Sequence, residues 1–360
     1  MNLQAIVSKP LRHFIKDTAV RQSSSLSRMA WHRFCRNKLS IASLVTIGLF
    51  ILMALLGYLI TPDSTPYCNQ QYLELATLKP FSRVEFVYLD DSLPQPQSGW
   101  LHKMLYGEAL PYTAIPITQE TDLSSTDTSK IIAHKTRTFV LGTDSYGRDV
   151  LSMIMIGSRV SLSVGLIAVL IALLIGITLG SVAAYYGGWV DNVITWLINV
   201  VWSIPTVLLV IAITFALGKG FWQVFIAVGL TMWVDIARVV RGQIFGLKEK
   251  EFIEAGRALG FSTFRIIFHH LLPNITGAVI VVTASNFASA ILLEAGLSFL
   301  GIGVQPPMPS WGTMVKENYC YILLDNAYLP LLPGLAIMLI VLAFMLLGNG
   351  IRDALDIKKS

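Results

Sequence analysis

The 360 residues are 54% hydrophobic and only 14% charged, with mean hydropathy +0.63; a soluble domain carries roughly a quarter charged residues, so a soluble globular chain is excluded. The net charge of +5 does not call for nucleic acid, because the basic residues gather at the N-terminus, in a central loop and at the C-terminus, as membrane topology requires. Cys35, Cys68 and Cys320 show no ligand spacing, which argues against a zinc site or a disulfide framework.

Residues 1–40 form a basic segment in which Arg28-Met29-Ala30-Trp31-His32-Arg33-Phe34-Cys35-Arg36-Asn37-Lys38 mixes cationic and aromatic side chains. That pattern predicts a short helix lying on an anionic inner leaflet, with membrane lipid as its partner. A membrane-spanning helix needs about 20 mostly apolar residues. Six stretches qualify: 41–60, 160–185, 194–217, 221–240, 275–300 and 329–347. The first (domain 41–60) is too long for a signal-peptide core and lacks a small-residue cleavage site, so it reads as a retained anchor.

Residues 61–138 follow as an extracytoplasmic insert. Seven prolines (Pro62, Pro66, Pro80, Pro94, Pro96, Pro111 and Pro116) and the strand-like run Val84-Glu85-Phe86-Val87-Tyr88 allow either a small subdomain or an irregular surface insertion. Cys68 and Cys320 both fall on the outer side, where coincidence is favoured over pairing. A core of five further helices then occupies residues 139–350, with the loop 241–274 at its centre, and a tail 351–360 ends the chain. In the fourth span Asp235 and Arg238 sit near the predicted end, spaced to pair at the interface. Lysine and arginine number 8 in residues 1–40, 6 from Arg238 to Pro273 and 3 after Leu347, out of 27. This bias predicts that both termini and the central loop are cytoplasmic. The fold class expected is therefore an all-α, multi-pass membrane protein of six transmembrane helices.

Gly176-x-x-x-Gly180 in the second span and Gly277, Ala284, Ala288 and Ala295 in the fifth predict close helix packing. Polar residues within the spans are candidates for a translocation path lined by the third and fifth: Asn199, Ser203, Pro205 (which interrupts its helix), Ser285, Asn286 and Ser289. Each is equally suited to an interhelical contact. Glu294, near the outer surface, is expected to form a gating or structural ion pair with Arg148 or Arg159.

No catalytic constellation is present. Gly218-Lys219-Gly220 is a turn and not a phosphate loop, Gly301-Ile302-Gly303 lacks a preceding strand, and the adjacent His269 and His270 fall on different helix faces. The chain is thus expected to be no enzyme and to bind no metal or cofactor itself.

The central loop is the most informative stretch. Glu251 to Leu259 favours helix, Gly260 ends it with a left-handed residue, Ser262 caps a second run from Thr263 to Leu272, and Pro273 marks the end of that run. A helix–Gly–helix elbow with an apolar stripe is a shape that fits another protein's groove. Glu254-Ala255-Gly256-x-x-x-Gly260, ending 19 residues later at Leu272-Pro273, resembles the cytoplasmic coupling loop of ABC importer permeases. It departs from that pattern at Gly256, where the family has alanine, and at His270, where the general motif has isoleucine. His270-x-Leu272-Pro273-Asn274 is similar to the peptide-importer branch. Leu141-Gly142-Thr143-Asp144-x-x-Gly147-Arg148-Asp149-Val150-Leu151-Ser152 resembles the segment before the second span in dipeptide, oligopeptide and nickel importer permeases, and Glu294-Ala295-Gly296-Leu297-Ser298-Phe299-Leu300-Gly301-Ile302-Gly303, with Pro306 to Gly312, resembles the outer end of the fifth span in the "C" partner of those pairs. The resemblance covers 139–356 closely and 28–60 loosely.

The resemblance implies an inner-membrane permease of a bacterium, paired with a homologous permease as a heterodimer. It further implies two ATP-binding subunits, with ATP and Mg held there, and an extracytoplasmic substrate-binding protein. Ile253, Glu254, Ala255, Gly256, Arg257, Leu259, Gly260, Phe264, Leu272 and Pro273 would be the coupling interface. The substrate would be di- or oligopeptides, with a nickel chelate or an antimicrobial peptide as alternatives. Outside that class, an ion-coupled secondary transporter would call for internal repeats and mid-membrane carboxylates, and a scaffold protein would leave the elbow's spacing without a reason.

Overall fold

The computed structural model describes residues 26–90, 99–108, 112–117, 131–218 and 220–355; the N-terminal 25 residues, the tail end 356–360, and Pro94, Pro96 and Pro111 of the insert lie outside them. Helix α1 (Leu26–Arg36) is short and amphipathic, with Trp31 stacked on Phe34 at 5.8 Å. Asn37 breaks the chain direction and caps α2 (Lys38–Ile60) by accepting from the Leu39 amide at 3.0 Å. One face of α2 (Ile47, Ala54, Tyr58) is buried while Leu49, Leu52 and Leu55 are exposed, as a helix between protein and lipid should be.

The insert is not irregular. Strands β1 (Ser82–Asp90), β2 (Tyr112–Pro116) and β3 (Ile131–Phe139) form an antiparallel sheet in the order β2-β1-β3, and helix α3 (Trp100–Tyr106) lies between β1 and β2 in sequence. Val87 pairs with Ile115 on one side and with His134 on the other. The period of two puts Val84, Phe86 and Tyr88 on one face, where they close a small core with Tyr72, Leu75 and Phe139. The insert is bolted to the bundle by Arg159. Its guanidinium donates to the carbonyls of Ala54 (2.7 Å) and Leu55 (3.0 Å) in α2, and to those of Met104 (2.9 Å) and Leu105 (2.7 Å) in α3.

Cys68 and Cys320 are both free. Cys68 is buried and donates to the Asp63 carbonyl at 3.0 Å, and burial, reinforced by the nearby Asp63 carboxylate, pushes its thiol well up. The thiolate is the reactive form. Maleimide at pH 7 should therefore modify the exposed Cys35 and Cys320 in the native protein and reach Cys68 only after denaturation, as intact mass spectrometry would count.

Helix α4 (Val150–Tyr186) begins ten residues before the predicted second span, because Asp149 caps it by accepting from the Ser152 amide at 2.9 Å. The predicted third span is corrected: α5 (Gly188–Ser203) and α6 (Thr206–Leu217) meet at Ile204-Pro205 with a bend of 95°. Proline has no amide hydrogen to continue the ladder, and the corner it makes is far sharper than a kink. Helix α7 (Phe221–Leu247) runs seven residues beyond its predicted end and is the most enclosed of the spans.

Then come α8 (Glu251–Ala258), α9 (Thr263–Phe299), α10 (Trp311–Asn318) and α11 (Tyr328–Leu355). Among the described residues five helices, α2, α4, α7, α9 and α11, are long and apolar enough to cross a membrane, and the bent pair α5–α6 makes up to a sixth.

The glycines of α4 seat α7. A Cβ on Gly176 would meet Ile236 Cβ at 2.7 Å, and one on Gly180 the Ala237 carbonyl at 2.6 Å, so the two backbones touch as that motif demands. Around this contact α4, α7, α9 and the elbow share one core; α2, α4, α10 and α11 share a second.

Candidate functional site

The elbow is built by its helix ends. Glu251 and Glu254 stand in the first turn of α8, where carboxylates complement the helix dipole. At the other end the Phe261 amide donates to the Gly256 carbonyl (3.0 Å) and the Gly260 amide to that of Arg257 (2.9 Å), a complete Schellman closure with Gly260 at φ +76°. Ser262 then caps α9 by accepting from the Arg265 amide at 3.3 Å. The run from Thr263 does not stop at Pro273. The helix widens to π geometry over Ile266–Leu271 and continues as the fifth span. That register absorbs the missing proline amide, and the Asn274 side chain donates to the His270 carbonyl at 2.6 Å.

The predicted elbow residues divide by orientation. Ile253 is only 1% exposed and packs inward with Ile244, Ile266, Leu271 and Ile275. Gly256 also faces inward, where a Cβ would stand 3.2 Å from the Phe261 ring, so alanine there would have to displace that ring. Leu272 is half-buried. Glu254, Ala255, Arg257, Gly260 and Pro273 are exposed, as are Leu259 (73%) and Phe264 (64%). Phe252 and Phe268, which the sequence reading did not single out, join this outer face, with Phe264 and Phe268 stacked at 4.2 Å. Their i,i+4 spacing was the available signal. The elbow is thus anchored from within and presents four large apolar side chains outward.

The elbow's neighbours are tied together. The Arg241 guanidinium of α7 grips the Asp191 carboxylate of α5 with two bonds, Nε to Oδ1 at 2.5 Å and Nη2 to Oδ2 at 2.6 Å. Lys248 donates to the Ala184 carbonyl at 3.0 Å, and Arg257 lies 5.4 Å over the Tyr185 ring. A planar, two-point fork resists rotation. Arg241→Lys keeps the charge but loses the fork. It should lower stability by about 1 kcal/mol, measured as the thermal unfolding midpoint of the detergent-purified chain, and the Asp191→Arg, Arg241→Asp double exchange should restore most of it.

A groove of about 590 Å³ runs between the α5–α6 corner, α7 and α9. Ser289 lines it, while Ser203 and Pro205 are exposed at the corner and Asn199 and Ser285 are exposed elsewhere. Asn286 is buried and donates to the Met232 carbonyl at 3.2 Å, holding α9 to α7. Asp235 and Thr231 also line the groove. Asp235 forms no ion pair with Arg238; Arg238 lies 4.2 Å over the Trp202 ring instead.

The expected ion pair at the outer end is corrected. Glu294 is fully buried and accepts from Ser298 Oγ (2.7 Å) and Ser161 Oγ (3.1 Å). Arg148 pairs with Asp144 (2.6 Å) and Glu317 (2.5 Å), and Arg159 is committed to backbone carbonyls. Small hydroxyls fit between tightly packed helices where a guanidinium would not. Ser298 Oγ also accepts from the Val304 amide at 3.2 Å, and Trp311 Nε1 donates to the Ile154 carbonyl at 3.0 Å. These bonds fix α9, α10 and the start of α4 as one rigid block. Among the described residues no cluster of His, Cys, Asp or Glu is arranged to hold a metal ion.

Residues 176–360 match the family described as "binding-protein-dependent transport system inner membrane component", and residues 25–80 match the N-terminal transmembrane domain of oligopeptide transport permease C. The dipeptide transport system permease protein DppC of Bacillus subtilis is 33% identical over 342 residues, 95% of this chain and 89% of that protein. The DppC of Alkalihalophilus pseudofirmus is 40% identical over 243 residues, 68% of this chain and 80% of that protein. The glutathione transport system permease protein GsiD of Pectobacterium atrosepticum is 42% identical over 218 residues, 61% of this chain and 72% of that protein.

Proposed function

This chain belongs to the family of binding-protein-dependent transport system inner membrane components, and from that premise we propose that it is one of two homologous permeases forming the path of an ATP-driven importer of di- and oligopeptides. It is a multi-pass membrane protein with the ABC importer permease fold. Two ATP-binding subunits, carrying ATP and Mg, dock on the cytoplasmic elbows, and a substrate-binding protein delivers peptide on the side of the insert. Both termini then lie in the cytoplasm. The peptide assignment rests on the dipeptide and glutathione relatives, which share a peptide backbone as cargo class.

The observation that carries the mechanism is the two-sidedness of the elbow. Leu259 and Phe264 are exposed on one side while Ile253, Ile266 and Leu271 are locked into the core of α4, α7 and α9 on the other. A push on the outer residues cannot be absorbed locally, because close-packed interiors transmit displacement. It moves α7 and α9, the two helices that wall the groove. Co-expression with the neighbouring transport genes tests this: the reconstituted complex takes up a labelled dipeptide only with ATP and binding protein, and uptake driven by an ion gradient alone contradicts it.

A further inference from the structure

We propose that Asp235 is a recognition point for a protonated amine, the free α-amino end of a peptide passing along the groove; the inference rests on the peptide-import reading above. Asp235 stands 14 residues after Phe221, roughly 20 Å along the helix axis at 1.5 Å per residue, and six residues, about 9 Å, before Arg241. A carboxylate at such depth is expensive and faces a bundle interior, a water-filled path or a partner charge. Here it is exposed and opens on the groove, whose walls include Val207, Met232, Leu293 and Leu297.

Neither guanidinium on its own helix pairs with it: Arg238 lies over the ring of Trp202, which also lines the groove, and Arg241 grips Asp191. No ion pair to Asp235 occurs among the described residues. A lone anion in an apolar trough selects a cation. Ser289, Thr206 and Thr231 line the same groove and supply oxygen acceptors suited to an ammonium, which donates three hydrogen bonds. The groove's apolar walls suit the side chains that follow. The site favours substrates with a free amino end over those in which that end is acylated.

The test uses the whole complex in proteoliposomes with saturating binding protein. Uptake of a dipeptide and of its N-acetyl analogue is compared for the wild type, Asp235→Asn and Asp235→Glu, and binding-protein affinity for both compounds is measured separately. Removal of a charged hydrogen-bond partner corresponds to about tenfold or more. Asp235→Asn should thus lower uptake of the free dipeptide about tenfold and erase the preference over the acetylated compound, with ATP hydrolysis still stimulated by binding protein, and Asp235→Glu should keep the preference. Unchanged uptake and preference in Asp235→Asn overturns the inference alone. A wild-type complex that moves no peptide overturns the peptide reading and the inference with it.

Discussion

If the elbow docks on ATP-binding subunits as proposed, Phe264→Asp should abolish stimulation of ATP hydrolysis by the binding protein while the permease still inserts at its normal level. Phe264 is largely exposed and stacks only on Phe268, so its loss opens no cavity in the core of this chain. Exposed apolar side chains this large, four on one short elbow, are expensive to leave in water unless a partner covers them. Aromatic anchors at the centre of an interface carry most of its energy, and truncating one costs about 2 kcal/mol or more, some 30-fold in affinity. Aspartate adds an unpaired charge in the same pocket. Phe264→Leu, which keeps the apolar bulk, should retain most activity. Co-purification of the ATP-binding subunits and ATPase rates of the detergent-solubilised complex read both variants.

The second large effect is on folding. Gly147→Ala should leave almost no protein in the membrane. Gly147 has φ +73°, and a Cβ there would fall on the Tyr72 carbonyl, far inside contact distance, with the rest of the Tyr72 backbone behind it. The turn it belongs to is held by Asp144, which accepts from the amides of Tyr146 and Arg148 at 2.9 Å, and by the ion pairs of Arg148 to Asp144 and Glu317. A left-handed residue and an overlap with rigid backbone together place the loss in the exceptional class, above about 4 kcal/mol. Gly99→Ala, in the insert, is the control: its φ is −59° and nothing lies within 4 Å of the added carbon. Membrane yield and thermal unfolding should be unchanged for Gly99→Ala and collapse for Gly147→Ala.

Much of this architecture could be read from residue spacing. Gly260 and Ser262 announce the elbow because a left-handed C′ residue and a side-chain cap leave local marks in sequence. Gly176-x-x-x-Gly180 announces the α4–α7 contact for the same reason. The chain's hydropathy marks where spans exist but not their shape. Pro205 signals a break, yet whether the chain kinks or turns through 95° depends on what α6 packs against. Hydropathy alone ends the fourth span at residue 240 and so puts Asp235 near its end, spaced to pair with Arg238. The partners that Arg238 and Arg241 take, Trp202 and Asp191, are tertiary, and the helix runs on to Leu247. An amphipathic helix as short as α8 has two partners to choose from, so Ile253 and Phe252, adjacent in sequence, could not be told apart as inner and outer. Glu294 illustrates the remaining gap: its serine partners come from residues 133 positions away and one turn away, and neither offers the charge that pairing rules look for.

The most direct measurement is cross-linking at the exposed tip of the elbow. Leu259→Cys, in a background where Cys35 and Cys320 are serine, is treated in the purified complex with a short thiol–amine reagent, and the adducts are identified by mass spectrometry. A covalent link from residue 259 to the ATP-binding subunit is the predicted result. A link to the extracytoplasmic binding protein in its place, or labelling of residue 259 in intact cells by a reagent that cannot cross the membrane, would contradict the account.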